Sequence, residues 1–276
     1  MAGGGGVEVI IKINSMAKTQ RIFNCVSSKD QQDDWQISKA QSKGFLPKKI
    51  ELPEKVDLRR EWWNVGNQGS TGSCVGWATA SSLLRYHFTK ARKIKTNEKI
   101  SVRFVWMASK EMDEYTDYPT TFIDDAGTSL KSALKSVKNV GALKADLFPF
   151  HGKMVTILEK NFLKIAGRLK IQAYFNLIST KQDKLTMFKT WLANNGPILT
   201  CLDCDDTWMD VKRDGLLEKY DSKSADGGHA VSIVGYTPTH FIIRNSWGIG
   251  WGDKGFAYAS YEYTKKAFKE AYGIVV

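Results

Sequence analysis

The apolar positions of this chain change their period at Pro197. Before it they fall on helical stripes. From Ser73 onward Trp77, Ala80, Leu84, Phe88 and Ala91 recur at steps of three and four, which predicts one long helix with a single apolar face. Ser73 is placed to cap its N-terminus, and Lys90, Arg92 and Lys93 stand where cations oppose the negative end of the helix dipole. A second stripe, Leu130, Ala133, Leu134 and Val137, predicts a helix from Ser129 that Gly141 stops. Further helices are predicted near residues 155–169 and over Leu185–Leu192, the latter ended by Asn194-Asn195-Gly196-Pro197. Beyond Pro197 the pattern is that of strands: 198–202, 229–236, 240–245, 255–261 and 272–276. Helices first and strands later predict an α+β fold with segregated regions, and the cleft between such regions is the natural place for chemistry.

Residues 1–51 have a different character, with a Gly run, a strand-like VEVIIKI and the polar stretch SSKDQQDDWQISKAQSKG. The Gly run reads as a flexible lead-in. The rest carries apolar anchors, Val9, Ile10, Ile11, Ile22, Phe23 and Trp35, that are costly to leave in water. The expectation is an extension packed permanently on a domain of residues 52–276, and not a removable inhibitory segment. VEVII would add to a sheet edge of the β region, and the stretch around Asp33-Asp34-Trp35 would cover part of the surface.

Composition narrows the function classes. With 276 residues and 42% apolar content, the chain can bury two packed lobes without disulfide staples. It has no apolar run long enough to span a membrane and no charged, apolar and cleavage regions of a secretory signal, so a soluble protein made in the cytoplasm is expected. The net charge of +11 is spread along the whole length, without a dense basic block, which argues against nucleic acid as partner. Of the four cysteines, Cys201 and Cys204 form a C-x-x-C, yet no second Cys or His pair stands nearby at zinc-ligand spacing. In a strand, positions three apart point to opposite faces, so free thiols are expected there, with no structural metal.

One constellation carries chemistry. Cys74 opens the first predicted helix, where unpaired N–H groups and the positive dipole end favour a thiolate. Tyr236-Thr237-Pro238-Thr239 reads as a turn between two strands, and folding about it brings His229 opposite Asn245–Trp247. Cross-strand neighbours lie within about 4.5–8 Å, so a hydrogen bond from Asn245 would orient the imidazole without taking its proton. Gln68, in the Gly-rich loop NQGSTGSC, could fold its amide back to form an oxyanion hole with the Cys74 backbone N–H. His87, His151 and His240 lack such a partner and read as structural.

The segments NQGSTGSCVGWATA, GGHAVSIVGY and IIRNSWGIGWGDKGFAYAS resemble the three signature blocks of the papain family of cysteine peptidases, in the family's order and near its usual separation. LPEKVDLR resembles the start of a mature enzyme, GTSLKSALKSVKNVGALKADLFPF the stretch ending in aromatic-Pro-aromatic, and NNGPILTCLD the Asn-Gly-Pro strand. The resemblance implies a two-lobe α+β fold, with a helical left lobe (about 57–168) and a β-barrel-like right lobe (about 169–276). It further implies Cys74 as nucleophile, His229 as base and then acid, Asn245 as its orienting group and Gln68 in the oxyanion hole. Trp247 would shield the His229–Asn245 bond and, with Gly127, contact substrate. No cofactor is implied. A protein or peptide substrate would lie extended in the cleft, where a protein inhibitor or immunity partner could also bind.

Departures from the family pattern are visible. Thr71 stands where secreted members often carry a disulfide cysteine, Val75-Gly76-Trp77 replaces the commoner Trp-Ala-Phe, and Ala126-Gly127 replaces a frequent Gly-Gly. The extension is shorter than the usual inhibitory propeptide, as in bacterial relatives. Housekeeping and effector roles are both open, and the Gly-rich start inclines the reading toward an effector delivered to another cell by a specialised secretion system. An acyltransferase or transglutaminase on the same scaffold, and a peptide-binding protein with its site unused, are the alternative functions.

Overall fold

A computed structural model describes residues 21–47, 49–113, 127–152, 159–178 and 182–276. VEVII and Ala126 lie outside the described residues, as does the start of the helix expected near 155. Ten strands are described: β1 Cys25–Val26, β2 Val56–Asp57, β3 Thr128–Ser129, β4 Ala173–Asn176, β5 Ile198–Asp203, β6 Leu216–Leu217, β7 Gly228–Tyr236, β8 His240–Arg244, β9 Phe256–Ser260 and β10 Phe268–Val275. Eight of them form one sheet in the order β4-β10-β5-β7-β8-β9-β6, with β2 also paired to β7. Its ladders are antiparallel except for β6 on β9. β1 and β3 form a separate parallel pair.

Alternation along the strands divides the core. On β5 and β7, Leu199, Cys201 and Ala230 face the helices, and Ile198, Leu202, Val231 and Ile233 face the opposite side. Against the first face packs the long helix that begins at Cys74 and runs to Lys90, its hydrogen bonding widened to the π pattern over Trp77–Leu84. Gly76 explains part of the departure from Trp-Ala-Phe: a Cβ there would lie 2.6 Å from Trp106 Cβ and 3.0 Å from the Val102 carbonyl oxygen. The neighbouring helix Val102–Glu111 therefore crosses in contact with the glycine backbone. Helix Leu130–Asn139 completes this lobe, capped as expected by Ser129 Oγ accepting from Ser132 N.

Ser73 does not cap by side chain; its Oγ bonds Thr71 Oγ1 at 2.6 Å. The opposite sheet face is covered by helices Lys184–Asn194 and Tyr261–Ala267, the second unforeseen because Tyr261, Tyr263 and Ala267 make a single short turn between two strands. Helices and strands are thus less segregated than the sequence order suggests. Val56–Leu58 is joined to β7 in the sheet, so the helical lobe starts after it.

The extension contributes helix Ile37–Ser42, and Ile37, Ala40 and Leu46 enter the core that holds Phe175 and Trp191. Asp34 ties it to the sheet and to the helical lobe, accepting from Tyr272 Oη at 2.8 Å and pairing with Lys131 at 3.0 Å. No helix among the described residues is long and apolar enough to cross a membrane.

Trp191 is laid directly on Gly273 of β10, where a Cβ would fall 2.0 Å from Trp191 Cε2. Trp191 is fully buried and cannot swing away. Gly273→Ala is therefore expected to destabilise the fold by about 1–3 kcal/mol through overpacking. Urea unfolding followed by tryptophan fluorescence measures it, and an unchanged midpoint would contradict the packing described.

Candidate active site

The seam between the long helix and β7 holds Cys74 beside the strand that carries His229. Cys74 begins the helix, fully buried, and its sulfur faces the backbone N–H groups of Ala230, Asn24 and Val75. His229 precedes Ala230 on β7, one residue from the N–H that faces the sulfur, and its ring lies among Phe23, Trp208 and Trp247. A bulge between Ile233 and Gly235 shifts the β7–β8 register, and the chain leaves β8 at Arg244 with Asn245 beside the histidine.

The hydrogen bonds fix the tautomer. Asn245 Oδ1 accepts from Ser246 N at 2.8 Å and lies 2.8 Å from His229 Nε2. An amide oxygen has no proton to give, so Nε2 carries the hydrogen and Nδ1 of the neutral ring has the free lone pair. Nδ1 is buried and has no hydrogen-bond partner among the described residues. It is the nitrogen available to take a proton.

Gln68 is held from both ends of its amide. Oε1 accepts from Ser246 Oγ at 2.8 Å, and Nε2 donates to the Thr71 carbonyl at 2.9 Å, leaving its second hydrogen uncommitted. Trp247 lies 5.0 Å from the His229 ring at 37°, within a group completed by Trp208 and Trp251. The sequence reading missed those two tryptophans and Ser246. Ser246 had a signal, its place beside Asn245; Trp208 comes from a short turn with no periodicity to mark it. His87 is buried and its basicity is pushed down to about 4 by loss of water, and His240 pairs with Glu218, which leaves both apart from this group.

The sequence reading set an extension packed on the enzyme against one lying through the cleft. Residues 21–28 run through the cleft. Arg21 donates to the Gly69 carbonyl at 3.1 Å and stands 5.0 Å over Trp247. Phe23 meets the rings of His229 and Trp247 at 6.0 and 6.1 Å. Asn24 gives its carbonyl to Thr128 N at 3.1 Å, and β1 then pairs with β3. Gly127 makes room for this: a Cβ there would lie 2.6 Å from the Asn24 carbonyl oxygen and 2.8 Å from Val26. The strap is then anchored by Ser28, whose N–H donates to Glu270 Oε2 at 3.1 Å and whose hydroxyl accepts from Lys131 N at 3.1 Å.

This cover corrects the expected thiolate. Burial pushes the Cys74 thiol up to about 11, outweighing the N–H groups of Ala230, Asn24 and Val75 that favour the anion. Burial pushes His229 down to about 4, against its bond to Asn245 and helped by the charge of Arg21. Under the strap the pair is therefore a thiol and a neutral imidazole. The helix terminus is present, but desolvation is the larger effect.

Among the described residues no group of His, Cys, Asp and Glu could hold a metal ion. Residues 52–273 match the family model described as Papain family cysteine protease. A cathepsin L-like protein of Caenorhabditis elegans is 26% identical over 224 residues, covering 78% of this chain and 61% of that protein. Papain of Carica papaya is 27% identical over 213 residues, covering 75% of this chain and 54% of its own length. The chain thus spans little more than half the length of these relatives. Among solved structures, xylellain, a cysteine protease from Xylella fastidiosa, superimposes with a TM-score of 0.74 at 21% identity, over 95% of this chain and 99% of that one. Digestive procathepsin L 3 of Tenebrio molitor gives 0.64 at 19% identity, over 84% of this chain and 73% of that one. With the two-lobe fold and a match that runs across its catalytic seam, the chain belongs to the papain family of cysteine proteases.

Proposed function

We propose that this chain is a cysteine peptidase that cleaves protein or peptide substrates through a thioester, and that residues 21–28 hold it latent. The observation that carries the reading is His229, its Nε2 bonded to Asn245 Oδ1 at 2.8 Å and its Nδ1 without a partner among the described residues, one position before the Ala230 N–H that meets the sulfur of a cysteine at a helix start. Nδ1 takes the thiol proton, and the Cys74 sulfur attacks the substrate carbonyl carbon. The oxyanion meets the Cys74 N–H and the uncommitted Gln68 amide hydrogen. His229 then gives its proton to the leaving amine, and water activated by the same ring cleaves the acyl-enzyme.

Latency follows from direction and charge. The strap offers Cys74 an N–H, from Asn24, where a substrate must offer a carbonyl. It also excludes the water that would stabilise a thiolate–imidazolium pair. A chain beginning at Ser28 keeps the Glu270 and Lys131 anchors and loses the cover. Restored solvation is expected to raise its hydrolysis of a fluorogenic peptide about tenfold or more over the full chain. Equal rates would show that the strap does not block the site.

In that shortened chain, Cys74→Ala should abolish turnover with the circular-dichroism spectrum unchanged. His229→Ala should lower kcat/KM by about 10²–10⁴-fold, and Asn245→Ala by less, because one removes the proton carrier and the other its orientation. The reverse order would mean the roles are misassigned.

The neutral pair also sets a pH dependence. In the full chain His229 and His87 bind protons only near pH 4, whereas in the unfolded chain they do so near 6.5. Between those values the unfolded state holds more protons, so stability falls as pH falls from about 6.5 toward 4, by about 3 kcal/mol for each histidine. Urea midpoints across this window should drop in the full chain and drop less in His87→Gln. A flat profile would contradict the buried neutral rings.

A further inference from the structure

The four thiols of the chain gather around the catalytic seam, and two of them meet across the boundary between strap and enzyme. Cys25, Cys74 and Cys201 share one buried core, whereas Cys204, just past the end of β5, belongs to the other. Cys201 Sγ donates to the Cys25 carbonyl oxygen at 3.9 Å, and the two thiols are near enough that Cys201 is among the groups that push the Cys25 thiol up. They meet over Gly228, where a Cβ would sit 2.0 Å from the Cys25 carbonyl oxygen and 3.3 Å from Cys201 Sγ. The missing side chain at 228 is what lets β1 descend to β5. All four thiols are free. Cys25 and Cys201 keep 6% and 7% of their surface open, against 0% for Cys74 and 1% for Cys204, so a small oxidant reaches this pair first.

We propose that Cys25 and Cys201 are a disulfide-forming pair, an oxidative modification site that staples the strap into the cleft. The consequence for activity rests on the reading of the strap as a cover; the disulfide itself does not. With a low-molecular-weight disulfide as oxidant, one thiol loses its proton and attacks, releasing one equivalent of the small thiol and forming a mixed disulfide. The second then displaces the other small thiol, so two protein thiols lose two hydrogens and the oxidant is reduced to two thiols. With hydrogen peroxide the same two hydrogens and two electrons reduce it to two waters. Burial pushes the Cys25 thiol well up, so the reaction is slow near neutrality and depends on the pair being already in place. The bond would close a loop across 176 positions of chain, and dissociation of the strap would then need reduction.

The test uses the full chain, reduced and then exposed to glutathione disulfide or, separately, hydrogen peroxide. Acid-quenched samples are digested without reduction and mapped by mass spectrometry, and native samples are timed for labelling of Cys74 by a fluorescent iodoacetamide. A dominant Cys25–Cys201 cross-link is expected, reversed by dithiothreitol and absent from Cys201→Ser. Oxidation is expected to slow Cys74 labelling about tenfold or more in the wild type and to leave it unchanged in Cys25→Ser. Links through Cys74 or Cys204, glutathione adducts without a cross-link, or a cross-link that leaves Cys74 labelling unaffected would overturn the proposal. None of these readouts requires peptide hydrolysis, so an inactive protein would remove the peptidase reading while the disulfide result stood or fell by itself.

Discussion

Everything chemical in this protein depends on one packing seam, the long helix beginning at Cys74 laid against the Leu199, Cys201 and Ala230 face of β5 and β7. The seam fixes the sulfur from two directions. The helix start delivers Cys74 with its own N–H and that of Val75, and β7 delivers Ala230 N–H with His229 one residue earlier. A bulge before Gly235 then sets the exit of β8, and Asn245 reaches the ring. On the helix side Gly76 lies against Trp106, and the Ser232 hydroxyl donates to the Ala78 carbonyl at 3.3 Å.

The same seam explains why covering the cleft changes the electrostatics so strongly. Charge separation between a thiol and an imidazole is favourable only where water or fixed dipoles meet both ions. Here Phe23, Trp247 and Trp208 surround the ring with apolar faces, and Arg21 places a cation over Trp247. Each of these disfavours imidazolium. The strap is held by groups that are themselves buried, Ser28 on Glu270 and Asp34 on Lys131, so its anchor points are far less exchangeable than surface ion pairs.

The chemistry was more legible in the sequence than the cover. Helix and strand periods placed the long helix, with Cys74 at its start, and the β7–β8 hairpin, from which the His229–Asn245 hydrogen bond follows. These residues sit on or next to regular elements whose geometry follows from spacing. Phe23, Asn24 and Cys25 do not: the first two precede, and the third opens, a two-residue strand whose partner, Thr128, is about a hundred positions away. Such a pairing leaves no local period, and the apolar residues of the extension read equally well as packing on any exposed surface. The helix Tyr261–Ala267 escaped for a related reason, being too short for a stripe. The thiolate was misjudged because the dipole at the start of a helix is a local property, whereas burial is set by a segment fifty residues upstream.

The direction of the strap reconciles its fit with its survival in the cleft. Cleavage requires a carbonyl carbon at the sulfur, with its oxygen turned to the oxyanion donors. β1 runs parallel to β3, with Asn24 giving its carbonyl to Thr128 N and its N–H to the Cys74 sulfur. Reversing a strand in a fixed groove exchanges the places of N–H and C=O groups, because both ladders use the same donors and acceptors of the wall. A chain running antiparallel to β3 would therefore present a carbonyl where Asn24 presents a donor. The wall at Gly127 and Thr128 pairs with extended backbone of the protein's own segment, which runs parallel to β3. In that direction the segment turns a donor, and not a carbonyl, to the sulfur.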